Sequence, residues 1–486
     1  MQPHKKFAFD VGITFLASAV ALPLGFIITI LMGRYLGAGD LGLYRMTTTI
    51  YGIAMLVAAI GIPAAMIKYV AEFKDDRTKF NRIVSSGVIT SLFLGIGFVA
   101  LFYFASGIFA GIFNMPGLPG LLKLLSPVFP FALVGGALLG MLNGLREMKT
   151  YAAATIIQSV LMVIITVVLI YRGFGVAGAM AGVVLSSVGS CAFLIWVCRR
   201  HFDITLEGYR QTTKKLLGFG AQIVGANAIN MINYQADIVL IGYFLTATDV
   251  GYYAVAVGLS KFFWIIPSAI QTITYPATSE YWANNNHSAL QTMVDKSMKY
   301  TACVLLPIGL GVGFFAREII TLMFEGGFVY AVLPLQILIV GTVIFGIFKS
   351  IGGSLISIGR ADLSLKITAM GALVNVLSNL LLIPLLGISG AAMATTLSFL
   401  LMAFLSLYLI HKLLQVRIDT KWCVKSLIIL FVMIFAFMVG SELIHQYILS
   451  SILLCIYGIL TIKFLLTKDD KKYFKSIFPS HLFFKT

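Results

Sequence analysis

Long apolar stretches separated by short polar links make up almost the whole chain. A membrane-spanning helix needs about 20 mostly apolar residues, and fourteen stretches are of this kind. Their length and lack of strict alternation argue against the strands of a membrane barrel, and the shortest links predict tight helical hairpins. The stretches lie at 11–32, 41–67, 83–110, 121–143, 151–171, 175–198, 216–244, 249–275, 299–320, 333–358, 366–385, 388–411, 424–441 and 446–466.

The composition agrees with a protein that lies in lipid. Of the 486 residues, 59% are hydrophobic and 11% are charged, whereas a soluble globular protein carries about 25% charged residues. The mean hydropathy is +0.97. These values exclude a set of soluble domains and a disordered, collagen-like or disulfide-rich secreted chain. The expected fold class is an all-α integral membrane protein with about 14 transmembrane helices.

The net charge of +16 reflects membrane topology more than a binding partner. In a soluble chain such an excess suggests nucleic acid, but in a membrane protein Lys and Arg collect in cytoplasmic loops. Twenty-seven of the 35 basic residues lie in alternate links or at their ends. We therefore predict a multi-pass protein of the plasma membrane with both termini in the cytoplasm. Membrane lipids are expected partners, and nucleic acid is not.

Short motifs recur along the chain at a nearly constant offset. The first offset is 209 residues and a later one is 212, and the matched segments are 33–44 with 242–253 and 175–179 with 387–391. Each half has an even number of helices, so the two halves have the same orientation in the membrane and the repeat is parallel. The sequence therefore predicts two six-helix lobes with a cleft between them. The sequence predicts three parts. Residues 1–215 form an N-lobe with helices 1–6, residues 216–415 form a C-lobe with helices 7–12, and residues 416–486 contain helices 13–14 and a cytoplasmic tail.

Predicted helix 7 carries a polar stripe within an apolar stretch. Its members share one helical face because they recur at spacings of three, four and three, and they are Asn227, Asn230, Tyr234 and Asp237. Interhelical hydrogen bonding and a water-filled cleft face are both open interpretations. A carboxylate at this depth must pair, protonate or face water, so Asp237 is the candidate site for coupling to Na⁺ or H⁺.

Three cations fall inside predicted membrane helices. Lys261 lies near the middle of helix 8, Lys349 lies well inside helix 10, and Arg45 lies about one turn inside the outer end of helix 2. A charge at mid-membrane costs about 2.5–3.5 kcal/mol on insertion scales, although Lys349 and Arg45 could also reach an interface. Their excess over buried carboxylates predicts an anionic ligand or an unseen partner. Arg34 lies at the outer mouth, where topology and capping also explain it.

The sequence has none of the motifs that would indicate catalysis. Its six histidines show no metal-ligand spacing, and it contains neither a nucleotide-binding phosphate loop nor a paired-carboxylate motif. The longest links have fewer than 25 residues, which leaves no room for an aqueous domain. We therefore expect a protein that is not an enzyme and that needs no cofactor apart from a candidate coupling ion.

The segments 32–44, 237–245 and 249–253 carry recognisable motifs. They resemble polysaccharide-biosynthesis flippases of the multidrug/oligosaccharidyl-lipid/polysaccharide transporter superfamily, which are related to lipid II flippases. The resemblance implies a V-shaped pair of six-helix bundles. It also implies that a lipid-linked, pyrophosphate-bearing oligosaccharide or cell-wall precursor moves from the inner to the outer leaflet by alternating access. A monomer that works beside glycan-assembly proteins is the expected functional form.

The sequence departs from this family in one respect and leaves two alternatives open. Lipid II flippases line the cleft with several arginines, but predicted helix 1 has none between Val11 and Leu31. Lys261, Lys349 and Arg45 are therefore expected to bind the pyrophosphate, with Asn227, Asn230 and Tyr234 beside them. One alternative is a drug or cation antiporter of the same superfamily, which would need a cleft rich in carboxylates. The other is a membrane polysaccharide polymerase or transferase, which would need clustered catalytic acids or a large loop.

Overall fold

Helices form every regular element in the part of the chain that the computed structural model describes, which is residues 3–417, 419–440, 446–461 and 463. The prediction of an all-α protein is confirmed. The α-helices of these residues, α1 to α18, are Pro3–Ala59, Ile62–Phe73, Arg77–Phe113, Leu118–Leu125, Val128–Gly144, Met148–Tyr171, Gly175–Cys198, Tyr209–Phe244, Ala247–Ser260, Ile265–Ala283, His287–Phe314, Ala316–Phe324, Val332–Lys349, Ser354–Ser357, Ala361–Leu386, Ile388–Leu414, Thr420–Gly440 and Gln446–Leu460. Two 3₁₀ segments, Lys261–Trp264 and Gly326–Ala331, join them.

The multi-pass character of the chain is clear, but the count of fourteen spans is not confirmed. Among the described residues, ten helices are long and apolar enough to cross a membrane, or eleven if the bent pair α4 and α5 is one span. The difference has three physical causes. The first two predicted stretches join in α1, the polar stripe dilutes the apolar run of α8, and α18 has 15 residues. The ends of the last two predicted stretches and the tail from 464 onward lie outside the described residues.

A glycine divides α1 into two helical segments. Gly37 has φ of +83° and ψ of −179°, a backbone conformation that side-chain-bearing residues rarely adopt. The position falls in the predicted link between the first two apolar stretches. The link is therefore a local break in a long helix, and it changes the direction of the chain between Arg34 and Arg45.

Spatial contacts divide the chain into two units. The first unit contains the described residues of Met1–Leu259, Met323–Pro334 and Thr368–Ser398. The second unit contains the described residues of Ser260–Leu322, Leu335–Ile367 and Phe399–Thr486. The predicted lobes follow the sequence repeat instead, and their boundaries stay a prediction.

Each unit has its own tightly packed interior. In the first unit, α2, α3, α5, α7 and α8 surround a buried core that includes Met66, Val84, Leu138 and Leu194. In the second unit, a side chain at Gly309 would come within 2.8 Å of Val343, so α11 and α13 approach closely there. Small residues at such contacts are typical of packing between membrane helices.

The two copies of the repeated motif contact each other within the first unit. A side chain at Gly42 would collide with the backbone carbonyl of Ala247, and one at Gly251 would collide with that of Ala38. At the offset of 209, Gly42 matches Gly251 and Ala38 matches Ala247. The glycine of each repeat therefore packs against the alanine of the other repeat. Such a reciprocal contact is typical of two segments related by a two-fold axis. The contact agrees with the repeat found at the offset of 209, and the parallel orientation of the repeats stays a prediction.

Substitution of Gly42 by Ala should destabilise the protein, because its β-carbon has no room against Ala247. Overpacking of this kind costs about 1–3 kcal/mol. Gly39→Ala is the matched control, since a β-carbon there would lie 3.5 Å from the Thr248 hydroxyl, an ordinary contact. Both variants exchange glycine for alanine in the helical segment that follows Gly37, so a lower thermal unfolding temperature for Gly42→Ala in detergent reports the clash. Equal unfolding temperatures would contradict the close contact.

Candidate functional site

The polar stripe of α8 divides into an exposed part and a buried part. Asn227 and Asn230 are exposed, Tyr234 is half-buried, and Asp237 is buried with 4% of its surface exposed. The Asn230 amide donates to the carbonyl of Ala226 on its own helix, with 3.1 Å between nitrogen and oxygen. The stripe is therefore not a uniform wet face, and its carboxylate has an environment of its own.

Hydroxyl and amide groups surround the Asp237 carboxylate. The Tyr253 hydroxyl of α9 donates to Oδ2 at 2.6 Å. The Thr395 hydroxyl of α16 lies 3.4 Å from the same oxygen, and the backbone N–H of Ile238 donates to Oδ1 at 2.9 Å. All of these partners are uncharged. They orient the carboxylate, and Arg45 interacts with it electrostatically from α1.

Two asparagines of α15 extend this arrangement. The Asn375 amide donates to the Thr395 hydroxyl at 3.1 Å, and the Asn379 amide donates to Asn375 Oδ1 at 3.1 Å. Both asparagines are fully buried, and Asn379 Oδ1 has no hydrogen-bond partner among the described residues. We call the set of Asp237, Tyr253, Asn375, Asn379 and Thr395 the buried polar cluster. Its oxygens come from four helices, α8, α9, α15 and α16.

Four of the five cluster residues have apolar counterparts in the first repeat, whereas Tyr253 corresponds to Tyr44. At the offset of 209, Asp237 corresponds to Ile28. At the offset of 212, the polar residues Asn375, Asn379 and Thr395 correspond to three valines, at Val163, Val167 and Val183. Polar groups required by the fold alone would be expected in both halves. The restriction of Asp237, Asn375, Asn379 and Thr395 to one half is a sequence signal that residue spacing on a single helix does not show. The sequence patterns did not identify Tyr253 or Thr395 as site residues.

Arg45 contributes a cation to the interior of the first unit. It lies in the second segment of α1 and is half-buried. Its Nη2 lies 3.5 Å from Oε1 of Gln235 on α8, a long contact to a neutral amide. No carboxylate of the described residues forms an ion pair with it. Most of the guanidinium donors therefore form no hydrogen bond with the described residues, and Asp237 is close enough to interact electrostatically with the guanidinium.

Arg34 has a different environment from Arg45. Its side chain is exposed, and its Nε lies 3.8 Å from Oε1 of Glu325, which is more exposed still. An exposed pair of this length contributes about 0–1 kcal/mol. The place of Arg34 at the outer mouth stays a prediction.

The two membrane lysines lie at breaks in helices of the second unit. Lys261 begins the 3₁₀ segment Lys261–Trp264, and Lys349 is the last residue of α13. The Lys349 ammonium lies 5.5 Å from the centre of the Trp264 ring, a favourable cation–π geometry. The structure therefore places Lys349 against the same short segment that begins with Lys261. Broken membrane helices often mark ligand sites.

Hydroxyl groups of α10 stabilise the break after Lys349. The Thr274 hydroxyl donates to the carbonyl of Ser350 at 2.7 Å, and the Ser279 hydroxyl donates to the carbonyl of Ser357 at 3.1 Å. In lipid every backbone polar group needs a partner, and these bonds supply partners where the helix ends. Hydrogen bonds from α10 therefore stabilise the break in the helix after Lys349.

The arrangement is suited to binding and transport of an ion or a charged headgroup. The first unit holds the buried polar cluster and Arg45, and the second unit holds the two lysines. No group of three His, Cys, Asp or Glu side chains that could hold a metal ion occurs in the part of the chain that the structure describes. Carboxylate, amide and hydroxyl oxygens are the ligands that hard monovalent and divalent cations prefer.

Comparisons with known proteins agree with this assignment. A family model described as "Polysaccharide biosynthesis protein" matches residues 31–332. The chain is 22% identical to the probable flippase AglR of Haloferax volcanii over 415 residues, which is 84% of each chain.

Two solved structures have a similar fold. The chain matches the lipid II flippase MurJ in an inward closed conformation with a TM-score of 0.74 and 15% identity, over 93% of this chain and 100% of that one. It also matches an inward-facing multidrug resistance MATE transporter with a TM-score of 0.71 and 17% identity, over 81% of this chain and 94% of that one. At these identities the likeness concerns the fold alone.

Proposed function

Because the chain belongs to the polysaccharide biosynthesis protein family, we propose that it is a transporter that flips a lipid-linked, pyrophosphate-bearing oligosaccharide or cell-wall precursor. The headgroup moves from the inner to the outer leaflet by alternating access, and the lipid tail stays in the bilayer. A polar headgroup that crosses hydrocarbon unaided meets a large desolvation cost. A protein can lower that cost by binding alone, and no covalent chemistry is needed.

The position of Arg45 is the observation that carries this proposal. An arginine within a membrane-spanning segment is costly, and here it contacts a neutral amide, with no carboxylate of the described residues in ion-pair range. The guanidinium presents a planar set of donors that matches phosphate oxygens in a bidentate way. The sequence also predicts Lys261 and Lys349 as point charges that bind a pyrophosphate, and Asn227, Asn230 and Tyr234 as hydrogen-bonding groups.

The buried polar cluster is the proposed site of the coupling ion. Na⁺ would be held by oxygens of Asp237, Asn375, Asn379 and Thr395, and the unpartnered Asn379 Oδ1 is the group that fits this role. H⁺ would instead bind the Asp237 carboxylate. Either ion removes the energetic penalty of a buried charge, and release of the ion restores it. Movement of one charge through 100 mV is worth about 2.3 kcal/mol, which is enough to bias the conformational cycle.

The multidrug or cation antiporter is the second candidate, because a MATE transporter shares the fold. A cationic substrate requires carboxylates in the cleft, whereas the charged residues that lie at least four residues from either end of a predicted membrane stretch are Arg45, Lys261 and Lys349 against Asp237. The sign of the charge therefore favours an anionic headgroup. The membrane polymerase or transferase lacks a comparable observation in its favour.

We place the protein in the plasma membrane with both termini in the cytoplasm, on the strength of the basic residues in alternate links. It acts as a monomer beside glycan-assembly proteins. Single cysteines introduced in the basic links should resist a membrane-impermeant maleimide added to intact cells, and cysteines in the other links should react.

Binding to the purified protein separates the two candidates. A pyrophosphate-bearing polyprenyl lipid should bind to the detergent-solubilised protein and should be displaced by inorganic pyrophosphate, because the cations recognise the charged linkage. A lipophilic cation such as tetraphenylphosphonium should not compete. If tetraphenylphosphonium binds and the pyrophosphate lipid does not, the antiporter assignment replaces this one.

A further inference from the structure

A cavity of about 530 Å³ opens in the first unit, and neither the residues of the buried polar cluster nor Arg45 line it. Three segments form it, namely the junction of α8 and α9, the chain around Tyr330, and the junction of α15 and α16. Its polar lining residues are Asp249, Tyr252, Tyr330 and Ser389. Its volume lies within the range of about 300–1,000 Å³ that is typical of small-molecule sites.

Two tyrosines give the cavity an aromatic wall. The rings of Tyr252 and Tyr330 lie 5.4 Å apart and are inclined at 38°. Tyr330 is 73% exposed, so its ring is not part of the packed core. The π-faces of such rings carry negative charge density, so they attract the slightly positive C–H groups of a flat, polar molecule. Sugar rings have this character.

A carboxylate adds hydrogen-bonding capacity to the same cavity. The Thr246 hydroxyl and backbone N–H donate to Asp249 Oδ2 at 2.6 and 3.1 Å, respectively. These bonds cap the start of α9 and fix the orientation of the carboxylate. Within the described residues no hydrogen bond reaches Oδ1, so this oxygen is available to accept from a ligand hydroxyl. An anionic ligand would be repelled by Asp249, and a neutral one would not.

The repeat shows that Tyr252 and Ser389 are not requirements of the fold, whereas Asp249 corresponds to Asp40 and belongs to the repeated motif. At the offset of 209, Tyr252 corresponds to Leu43, and at the offset of 212, Ser389 corresponds to Ala177. Leu43 packs against the chain at Gly117, where a β-carbon would lie 3.2 Å from it. The N-terminal half thus has an apolar contact where the C-terminal half has an aromatic and polar cavity.

From these observations we propose that the cavity is a binding site for neutral sugar units. Tyr252 and Tyr330 stack on a pyranose ring, and Asp249 and Ser389 accept or donate hydrogen bonds to its hydroxyls. The predicted topology puts this cavity on the outer side of the membrane. This inference rests on the proposed function in one respect: the bound sugar belongs to the headgroup of a lipid that the protein has moved to the outer leaflet. The site retains the glycan end while the pyrophosphate leaves the cations.

The test is the binding of free neutral oligosaccharides to the full-length protein in lipid nanodiscs. Maltotriose, chitotriose and mannotriose serve as probes, and saturation-transfer difference NMR measures contact with the sugar protons. At least one probe should bind, and Tyr330→Ala should weaken its binding by about tenfold or more, whereas Tyr330→Phe should retain it. Asp249→Asn keeps an oxygen that can accept from the backbone N–H of Thr246, the residue that caps α9, and should weaken binding by a smaller factor.

Tyr35→Ala is the matched control, because Tyr35 is also an exposed tyrosine, with a hydroxyl 2.7 Å from that of Tyr171. Its binding should stay within about twofold of the unmodified protein. The inference is overturned if no probe binds, or if Tyr35→Ala and Tyr330→Ala lose binding equally. Free sugars do not require flipping, so this result is independent of a lipid-flipping assay on the same preparation. A cysteine at position 330 should also react with an impermeant maleimide from outside intact cells, and protection there would contradict the outer location.

Discussion

Replacement of Arg45 by glutamine is expected to slow the flipping of a lipid-linked oligosaccharide by about tenfold to hundredfold. A hydrogen bond to a charged group contributes about 1.5–3 kcal/mol, and each 1.4 kcal/mol corresponds to a factor of ten. Glutamine keeps a polar side chain that can still contact Gln235, so the helix packing between α1 and α8 should persist. The measurement is the initial rate of translocation in proteoliposomes.

Arg34→Gln is the matched control for this prediction. Arg34 lies in the same helix, but it is exposed and has a long contact to Glu325, so its loss should change the rate by less than about twofold. Arg45→Lys keeps the charge and loses the bidentate geometry, and it should give an intermediate rate. A wild-type rate for Arg45→Gln would remove the main support for an anionic substrate.

The second large effect is expected at Asp237. Asp237→Asn has nearly the same shape and can still accept the hydrogen bond from Tyr253, but it can neither bind a proton nor supply a negative charge to Na⁺. We expect that flipping no longer responds to an imposed Na⁺ or pH gradient and that a slow, gradient-independent rate remains. Rates with and without each gradient measure the effect and identify the ion.

Asp40→Asn serves as the control for the Asp237 variant. Asp40 lies in α1 of the same unit and is partly exposed, so its substitution should leave the ion response intact. Asn379→Leu should weaken the response to Na⁺ and spare a response to H⁺, because it removes an oxygen without removing the carboxylate. If Asp237→Asn keeps the normal gradient response, the coupling ion binds elsewhere.

The sequence predicted those features of the fold that depend on long apolar runs. The all-α class, the short hairpins and the family resemblance are confirmed by the structure and the comparisons. The contact between Gly42 and Ala247 also agrees with the repeat found at the offset of 209. The count of spans was less predictable, because Gly37 interrupts α1 without ending it and because asparagines lower the hydropathy of α8.

The candidate site was predictable only in part. Spacing on one helix placed Asp237 beside Asn230 and Tyr234, but it carried no information about which neighbouring helices cover each position. Burial by α9, α15 and α16 separates Asp237 from the exposed asparagines. The breaks at Lys261 and Lys349 arise from backbone geometry in apolar sequence that looks continuous. The predicted binding roles of these residues remain predictions.

The most direct test of the central claim is a flipping assay with the purified protein. A fluorescent polyprenyl-pyrophosphate oligosaccharide is placed in both leaflets of proteoliposomes, and a membrane-impermeant quencher reports the fraction that becomes accessible from outside. We predict that the protein accelerates the second, slow phase of quenching and that mass spectrometry recovers the lipid chemically unchanged. A rate equal to that of protein-free liposomes, or a cleaved or extended oligosaccharide, would contradict the assignment of a flippase.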